Sequence, residues 1–174
     1  MRLFIAVNFS GSTKNALLAL RDKLESRAER GSFTTEENLH ITLVFLSECG
    51  MKQVSAVKTA MDIVNFEPFE ILIERVGRFG RGGQNESLWW AGARENTALL
   101  GLQRDLTDNL AAAGFALDSR RFSPHITLGR RVVTDALPWR TELFGETIQN
   151  IDLMKSERIN GRLTYTPIYT KTAI

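Results

Sequence analysis

The chain has 174 residues, of which 43% are hydrophobic and 24% are charged, a balance typical of a folded globular protein rather than a disordered one. Its formal net charge is only +2, so overall charge does not indicate a nucleic-acid-binding protein, although arginines cluster at Arg75, Arg78 and Arg81. The single cysteine, Cys49, excludes an intrachain disulfide and favours a reducing compartment. The apolar run at the start of the sequence is too short for a signal peptide or a membrane span, so we expect a cytoplasmic protein with no membrane partner.

The first half of the chain predicts a strand, a helix and a second strand. Apolar residues alternate over 3–9, as in a half-buried strand. A stripe of apolar residues over 17–28 predicts an amphipathic helix that ends at Gly31. The stretch 39–46 then predicts a second strand. A further helix over 54–64 and a strand over 69–76 follow this unit.

The second half of the chain repeats the same order. A strand over 88–93 precedes a leucine-striped helix over 99–110 that ends at Gly114, and a strand over 122–131 follows. The leucine stripes are offset by 82 residues, close to the spacing of the strands that follow them. We therefore predict a duplicated scaffold, with pseudo-repeats over about 1–80 and 85–135.

The C-terminal segment over 148–171 predicts two more strands. They are joined at Asn160-Gly161, a strong hairpin signal, and Pro167 would place the last strand at a sheet edge or a bulge. The stretch 137–139 predicts a loop. The segment 134–144 has no helical pattern to match the helix over 54–64, so the two lobes should be unequal. We predict a single bilobal α+β domain over the whole chain, with two antiparallel sheets flanked by helices and completed by the C-terminal strands.

The tetrapeptide His-Ile-Thr-Leu occurs twice, over 40–43 and 125–128, and it contains both histidines of the chain. Side chains alternate between the two faces of a strand, so each copy would bury its Ile and Leu and present its His and Thr on the other face. If a pseudo-twofold axis relates the halves, the two His/Thr pairs line one groove. Gly129 would leave room there for a ligand to approach the backbone.

Two facing imidazoles suit acid–base chemistry on a phosphodiester. Histidine exchanges protons near neutral pH, so one imidazole could activate water while the other protonates the departing alkoxide. Hydroxyl and arginine donors would stabilise the charge that develops on the phosphate. Neither motif supplies carboxylates or thiolates for a metal site, so we predict no metal and no cofactor.

At these residues the chain resembles the 2H phosphoesterases, most closely the prokaryotic RNA 2′,3′-cyclic phosphodiesterases that were formerly called 2′-5′ RNA ligases. The resemblance spans nearly the whole chain. It includes residues 2–6, residues 38–43 with Phe45, residues 124–128 with Phe122 and Arg130, and Ser156 with residues 165–167. It implies a bilobal fold and metal-independent hydrolysis of a terminal 2′,3′-cyclic phosphate on RNA to a 2′-phosphate.

The resemblance also implies roles for individual residues. His40 would be the proton donor to the leaving oxygen and His125 the proton acceptor. Thr42 and Thr127 would bind phosphate oxygens, and Phe45 and Arg130 would contact the substrate. Strict strand alternation argues against the last pair, because both lie five residues beyond their histidine and therefore on the opposite face. They would reach the groove only if each strand ended or bulged first.

Other functions are compatible with the same residues. The substrate could be a small cyclic nucleotide phosphate or a 2′-5′ linked oligonucleotide, and the reverse reaction would be a 2′-5′ RNA ligation. A non-catalytic RNA- or nucleotide-binding module is a further alternative, although a pure binder does not need two proton-transfer groups. We expect the partner to be RNA with a 2′,3′-cyclic phosphate end, and the protein to be a monomer.

Overall fold

The computed structural model describes residues 1–80 and 85–174, so Arg81 lies outside the described residues. The described elements are β1 (Arg2–Asn8), α1 (Gly11–Ser26), β2 (Ala28–Phe33), β3 (His40–Glu48), α2 (Met51–Ile63), β4 (Phe69–Phe79), β5 (Ser87–Ala93), α3 (Thr97–Ala112), β6 (Ile126–Thr134), β7 (Trp139–Ile148), β8 (Asn150–Ile159) and β9 (Arg162–Thr172). In this part of the chain, no helix has the length and hydropathy needed to cross a membrane.

The strands form one antiparallel sheet in which two halves meet at a single residue pair. The strand order is β7-β4-β5-β6-β3-β1-β8-β9, and β2 also pairs with β6. We call β3, β1, β8 and β9 the first half-sheet, and β6, β5, β4 and β7 with β2 the second half-sheet. Within the described residues, β3 and β6 pair only at Ile41 and Ile126. The α+β class is confirmed, and the two expected antiparallel sheets are joined at the motifs into one.

The helices cross between the two halves. Helix α1 contacts β6 and β7 of the second half-sheet, whereas α3 contacts β3 of the first half-sheet and α2. The helical stripes predicted from the sequence are buried, with Leu17, Leu24, Leu99, Leu106 and Leu110 fully enclosed. These side chains share one continuous core with the inward faces of both half-sheets. The opposite face of the sheet is therefore left for the polar motif residues.

Two segments fold differently from the sequence-based prediction. The helix expected over 17–28 ends at Ser26, and Ala28–Phe33 forms β2 along β6. Trp139, expected in a loop, is the first residue of β7, which pairs with β4. Strand β2 is mostly exposed and β7 is largely half-buried, and neither has a clean apolar alternation. Their structure depends on pairing with distant strands, which a local pattern does not reveal.

The C-terminal hairpin has the predicted turn. Asn160 and Gly161 have φ values of 50° and 77°, as a two-residue turn between antiparallel strands requires. Strand β9 is the sheet edge, and a register shift lies beside Pro167. An edge position suits proline because it has no N–H to donate to a neighbouring strand. The hairpin extends the first half-sheet beyond β1, which lies between it and the strand that carries His40.

Candidate active site

The two His-Ile-Thr-Leu motifs meet at the junction of the half-sheets. Ile41 and Ile126 are paired in antiparallel register and fully buried, as the alternation predicted. His40 and His125 lie next to this pair and are only partly exposed. The two imidazoles are close enough for the charge of His125 to lower the pKa of His40. The structure thus brings both predicted histidines together on one face of the sheet.

Both imidazoles are held by the same backbone hydrogen bond. Nδ1–H of His40 donates to the carbonyl oxygen of Asn38 over 2.7 Å, and Nδ1–H of His125 donates to that of Ser123 over 2.7 Å. In each motif the acceptor is the residue two positions before the histidine. A neutral imidazole has one N–H, so this bond leaves Nε2 unprotonated and available as an acceptor.

His40 is enclosed by aromatic rings of the first half-sheet. The ring of Phe4 lies 5.0 Å from the imidazole, and that of Tyr165 lies 5.2 Å away, edge-on at 86°. The hydroxyl of Thr42 is 2.9 Å from Nε2. Since Nδ1 carries the imidazole proton, Thr42 is the donor in this bond. The first motif therefore has an internal His–Thr hydrogen bond in a partly apolar setting.

His125 has a more open environment. Its closest aromatic neighbour is Phe79 of β4, whose ring centroid lies 4.9 Å away and edge-on at 86°. Phe79 in turn packs against Trp90 of β5 at 5.3 Å. Among the described residues, Nε2 of His125 has no hydrogen-bond partner. The nitrogen that could exchange a proton is thus free.

Burial and nearby positive charge keep both histidines neutral. Burial is the main cause that lowers the pKa of His40 from 6.5 to about 4, and the charges of His125 and Arg130 lower it further. Burial also lowers the pKa of His125, again assisted by Arg130. The carbonyl groups of Asn38 and Ser123 oppose these shifts by accepting the Nδ1–H bonds. At pH 7 neither imidazole carries a proton on Nε2.

Phe45 lies on the histidine face because β3 bulges before it. Ile5 pairs with Val44, but the next β1 residue pairs with Thr42, so Leu43 is left without a partner. Leu43 and Val44 are consequently both buried, and the alternation is reversed from this point. Phe45 is 67% exposed and lies 6.4 Å from Phe4. The bulge that the sequence argument required is present.

Strand β6 has the equivalent irregularity. Trp89 pairs with Gly129, whereas the next residue, Trp90, pairs with Thr127, so Leu128 is skipped. Leu128 and Gly129 are both buried, and Arg130 is exposed. The charge of Arg130 contributes to lowering the pKa of both histidines. Arg130 therefore lies on the histidine face of the second half-sheet, as Phe45 does on that of the first.

The expectation for Gly129 was wrong. A Cβ atom at this position would lie 2.8 Å from Cγ2 of Val132 and 3.0 Å from the ring of Phe33. Because the bulge turns this residue inward, its missing side chain makes room for β2 and not for a ligand. Glycine serves here to let Phe33 pack against the strand.

Several side chains around the histidines were not identified as site residues from the sequence. Phe4, Phe79 and Tyr165 each pack against an imidazole. Phe4 could have been found, since it stands on the outward face of a strand whose inward positions are already apolar. The partner of His125 could not, because no local pattern connects β4 to the second motif. In the described part of the chain, no group of three or more His, Cys, Asp or Glu residues is placed to hold a metal ion.

The comparisons with known proteins agree with this geometry. The family model of the 2′-5′ RNA ligase superfamily matches residues 9–158. An RNA 2′,3′-cyclic phosphodiesterase of Archaeoglobus fulgidus is 32% identical over 152 residues, which are 84% of this chain and 85% of the relative. The Escherichia coli protein of the same name is 27% identical over 171 residues, covering 96% and 93%.

The fold is shared with solved structures. Escherichia coli LigT complexed with 3′-AMP superposes with a TM-score of 0.87 at 24% identity, over 99% of this chain and 97% of that one. TT0787 of Thermus thermophilus gives a TM-score of 0.85 at 24% identity, over 99% and 97%. The two-histidine groove, the family match and these folds lead to one assignment. This chain belongs to the 2′-5′ RNA ligase superfamily, a group of 2H phosphoesterases.

Proposed function

We propose that this protein hydrolyses the terminal 2′,3′-cyclic phosphate of RNA to a 2′-phosphate, by acid–base catalysis with two histidines and without a metal ion. The observation that carries the proposal is the pair of imidazoles beside the Ile41–Ile126 junction. Both are anchored through Nδ1 to the backbone, so both are oriented to exchange a proton at Nε2. The names of the curated relatives support the same substrate.

The proposed reaction moves one proton at each histidine. Nε2 of His125 accepts a proton from water, and the water oxygen forms a bond to phosphorus. The bond between phosphorus and O3′ breaks, and the departing O3′ receives a proton from Nε2 of His40. The product has a 2′-phosphate and a free 3′-hydroxyl, and proton exchange with solvent restores the starting state of both imidazoles.

Because its pKa is lowered, His40 is neutral in the free protein and can act as a proton donor only once substrate is bound. In the free protein, burial and the charge of Arg130 hold His40 neutral, with a pKa of about 4. A bound phosphodiester carries a negative charge, which offsets that of Arg130 and favours the protonated imidazole. His40 would therefore gain its proton as the substrate binds. Nε2 of His125, which has no hydrogen-bond partner in the part of the chain that the structure describes, is suited to accept one.

The remaining residues would hold the phosphate and its nucleotide. When His40 is protonated, its Nε2 no longer accepts the Thr42 hydroxyl, which is then free to donate to a phosphate oxygen. Thr127 would do the same from the second motif. Arg130 would add a charge-assisted bond, and the exposed ring of Phe45 would support the terminal base or ribose.

The direct test is hydrolysis of an RNA oligonucleotide that ends in a 2′,3′-cyclic phosphate. We expect a 2′-phosphate product, identified by ³¹P NMR, at a rate that a chelator leaves unchanged. A 3′-phosphate product would contradict the proposed bond cleavage, and strong inhibition by the chelator would contradict the metal-independent mechanism. Binding of the oligonucleotide without turnover would instead favour the non-catalytic alternative.

The same assay compares substrate classes. A 2′-5′ linked dinucleotide and a small cyclic nucleotide phosphate are tested beside the RNA. We expect the highest kcat/KM for the RNA end. A higher value for either alternative would replace the proposed substrate while leaving the two-histidine mechanism in place.

A further inference from the structure

The aromatic contacts of His125 continue away from the groove along the second half-sheet. Phe79 touches His125, and Trp90 touches Phe79, with ring centroids 4.9 Å and 5.3 Å apart. Phe79 is 40% exposed although it is a large apolar side chain. An uninterrupted aromatic surface therefore runs outward from the second histidine.

Trp90 lies flat against the sheet because glycines flank it. A Cβ on Gly77 would stand 2.5 Å from the indole, and one on Gly92 would stand 2.6 Å from it. Gly77 is the register partner of Trp90, and Gly92 lies two residues further along the same strand. Any side chain at either position would push the indole out of place. These strands are thus shaped to carry a flat ring on their outward face.

Two arginines lie at the far end of this surface. The guanidinium of Arg75 is 5.4 Å from the indole centroid of Trp90, and Arg75 is 52% exposed. Arg75 is also paired directly with Arg140 across β4 and β7. Like charges in direct opposition destabilise a strand pair. An anion bound between the two guanidinium groups would relieve that repulsion.

Little of this positive charge is neutralised by nearby carboxylates. Glu74 lies 3.9 Å from Arg75, at the limit of an ion pair, and it also pairs with Arg94 at 3.3 Å. Arg140 is exposed and has no ion-pair partner among the described residues. Aromatic rings are therefore combined with positive charge that carboxylates only partly offset, in Arg75, Phe79, Trp90 and Arg140. We call them the Arg–Trp face.

We propose that the Arg–Trp face binds single-stranded RNA on the 5′ side of the reacting terminus, with a base against Phe79 and Trp90 and phosphates at Arg75 and Arg140. Aromatic rings beside arginines are the means by which proteins bind single-stranded nucleic acid without reading its sequence. The face is continuous with the groove through Phe79. This inference rests on the proposed function, because it assumes that the substrate is RNA.

Arg75 and Arg140 lie too far from the reacting end to contact the shortest substrates. Phe79 and Arg75 are four residues apart on β4, or about 13 Å at 3.3 Å per residue. The contact with His125 places Phe79 at the reacting end, so Arg75 and Arg140 would contact only nucleotides further upstream. Their removal should weaken the binding of an oligonucleotide and have no effect on the shortest substrate.

The test compares substrate lengths in a double variant, Arg75→Ala with Arg140→Ala. The substrates are a cyclic-phosphate tetranucleotide and the shortest cyclic-phosphate substrate that the wild type hydrolyses. We expect KM for the tetranucleotide to rise about tenfold with little change in kcat, because two of its phosphates lose their partners. KM for the short substrate should stay within about twofold. The salt dependence of the tetranucleotide KM should also weaken, by about 0.7 in the log–log slope for each lost phosphate contact.

Arg104→Ala provides a control that also removes one positive charge. Arg104 is exposed on α3, away from the motif face, so its loss should affect neither substrate. Equal weakening of both substrates by the double variant would overturn the inference, as would an unchanged tetranucleotide KM. If the wild type hydrolyses no cyclic-phosphate substrate, the proposed function is wrong, which is a different result from either of these.

Discussion

His40 and His125 occupy identical tetrapeptides but different surroundings. His40 is enclosed by Phe4 and Tyr165 and accepts a hydrogen bond from Thr42. His125 touches Phe79 and has no partner on Nε2 within the described residues. The tetrapeptide therefore places each imidazole, whereas side chains from other strands determine how readily it is protonated. A duplicated motif can in this way provide two chemically distinct groups.

The largest expected effect separates the two proton transfers. His40→Ala and His125→Ala should each lower kcat by about 10²–10⁴-fold. A substrate with sulfur in place of the bridging O3′ releases a thiolate, which needs no proton because a thiol has a pKa of about 8.5. On this substrate we expect His40→Ala to recover most of its activity and His125→Ala to remain impaired. Recovery of His125→Ala instead would exchange the proposed roles.

The pH dependence of kcat/KM should reflect both lowered pKa values. The free enzyme determines kcat/KM, and burial holds the pKa of each histidine below 6.5. We expect the maximum on the acidic side of that value, followed by a decrease of about tenfold per pH unit as the donor loses its proton. The kcat profile should lie at higher pH, since bound phosphate favours the protonated imidazoles. A kcat/KM that rises above pH 7 would contradict this account.

Arg130→Gln offers a further test of the same profile. Removing the guanidinium should raise the pKa of both histidines and move the alkaline decrease of kcat/KM to higher pH. The KM should increase as well if Arg130 binds the phosphate. An unchanged profile would mean that Arg130 does not act on the imidazoles.

A smaller effect should distinguish the two threonines. Thr42 donates to Nε2 of neutral His40, so Thr42→Val removes a bond that exists only in the neutral form and should raise the pKa of His40. A net hydrogen bond of about 1 kcal/mol corresponds to about 0.7 pKa unit. Thr127→Val should leave the pKa of His125 unchanged. NMR titration can measure both, since the chain has two histidines and hence two imidazole signals.

The smallest effect concerns stability in acid. The pKa of His40 is lower in the folded state than its ordinary value of 6.5, so the unfolded state binds the proton first as the pH falls. Stability is therefore lost from about pH 6.5 downward to about pH 4. We expect His40→Gln to lose less Tm than the wild type between about pH 7 and pH 4.5. Equal losses would show that the histidine is not buried as described.

The sequence predicted the parts of this site that depend on local pattern. Strand alternation correctly placed Ile41 and Ile126 in the core and the histidines on the other face. It could not locate the bulges, because a skipped residue such as Leu43 is defined by its neighbour β1. The only local sign that the alternation of buried and exposed positions reverses on β3 is the pair of consecutive apolar residues Leu43 and Val44. Phe45 was therefore assigned to the wrong face by alternation and to the right one by family resemblance.

The prediction of the fold was limited for a related reason. The helical stripe over 99–110 matched α3 because an amphipathic helix is encoded within a few turns. Strand β2 was missed because its pairing with β6 joins residues about a hundred positions apart, and its own side chains are mostly exposed. The division into two pseudo-repeats and the roles of the six site residues remain predictions.

Because the helices cross, each half of the chain depends on the other half for a helix that covers its strands. Helix α1 packs on the strands that follow the midpoint of the chain, and α3 packs on β3, which precedes it. Neither half, cut out and expressed alone, would have its own helix in place to cover its strands. A half-length chain with this architecture could be completed only by exchanging helices with a second copy. The present chain covers the core face of its sheet as such an intertwined pair would, but with both partners covalently joined.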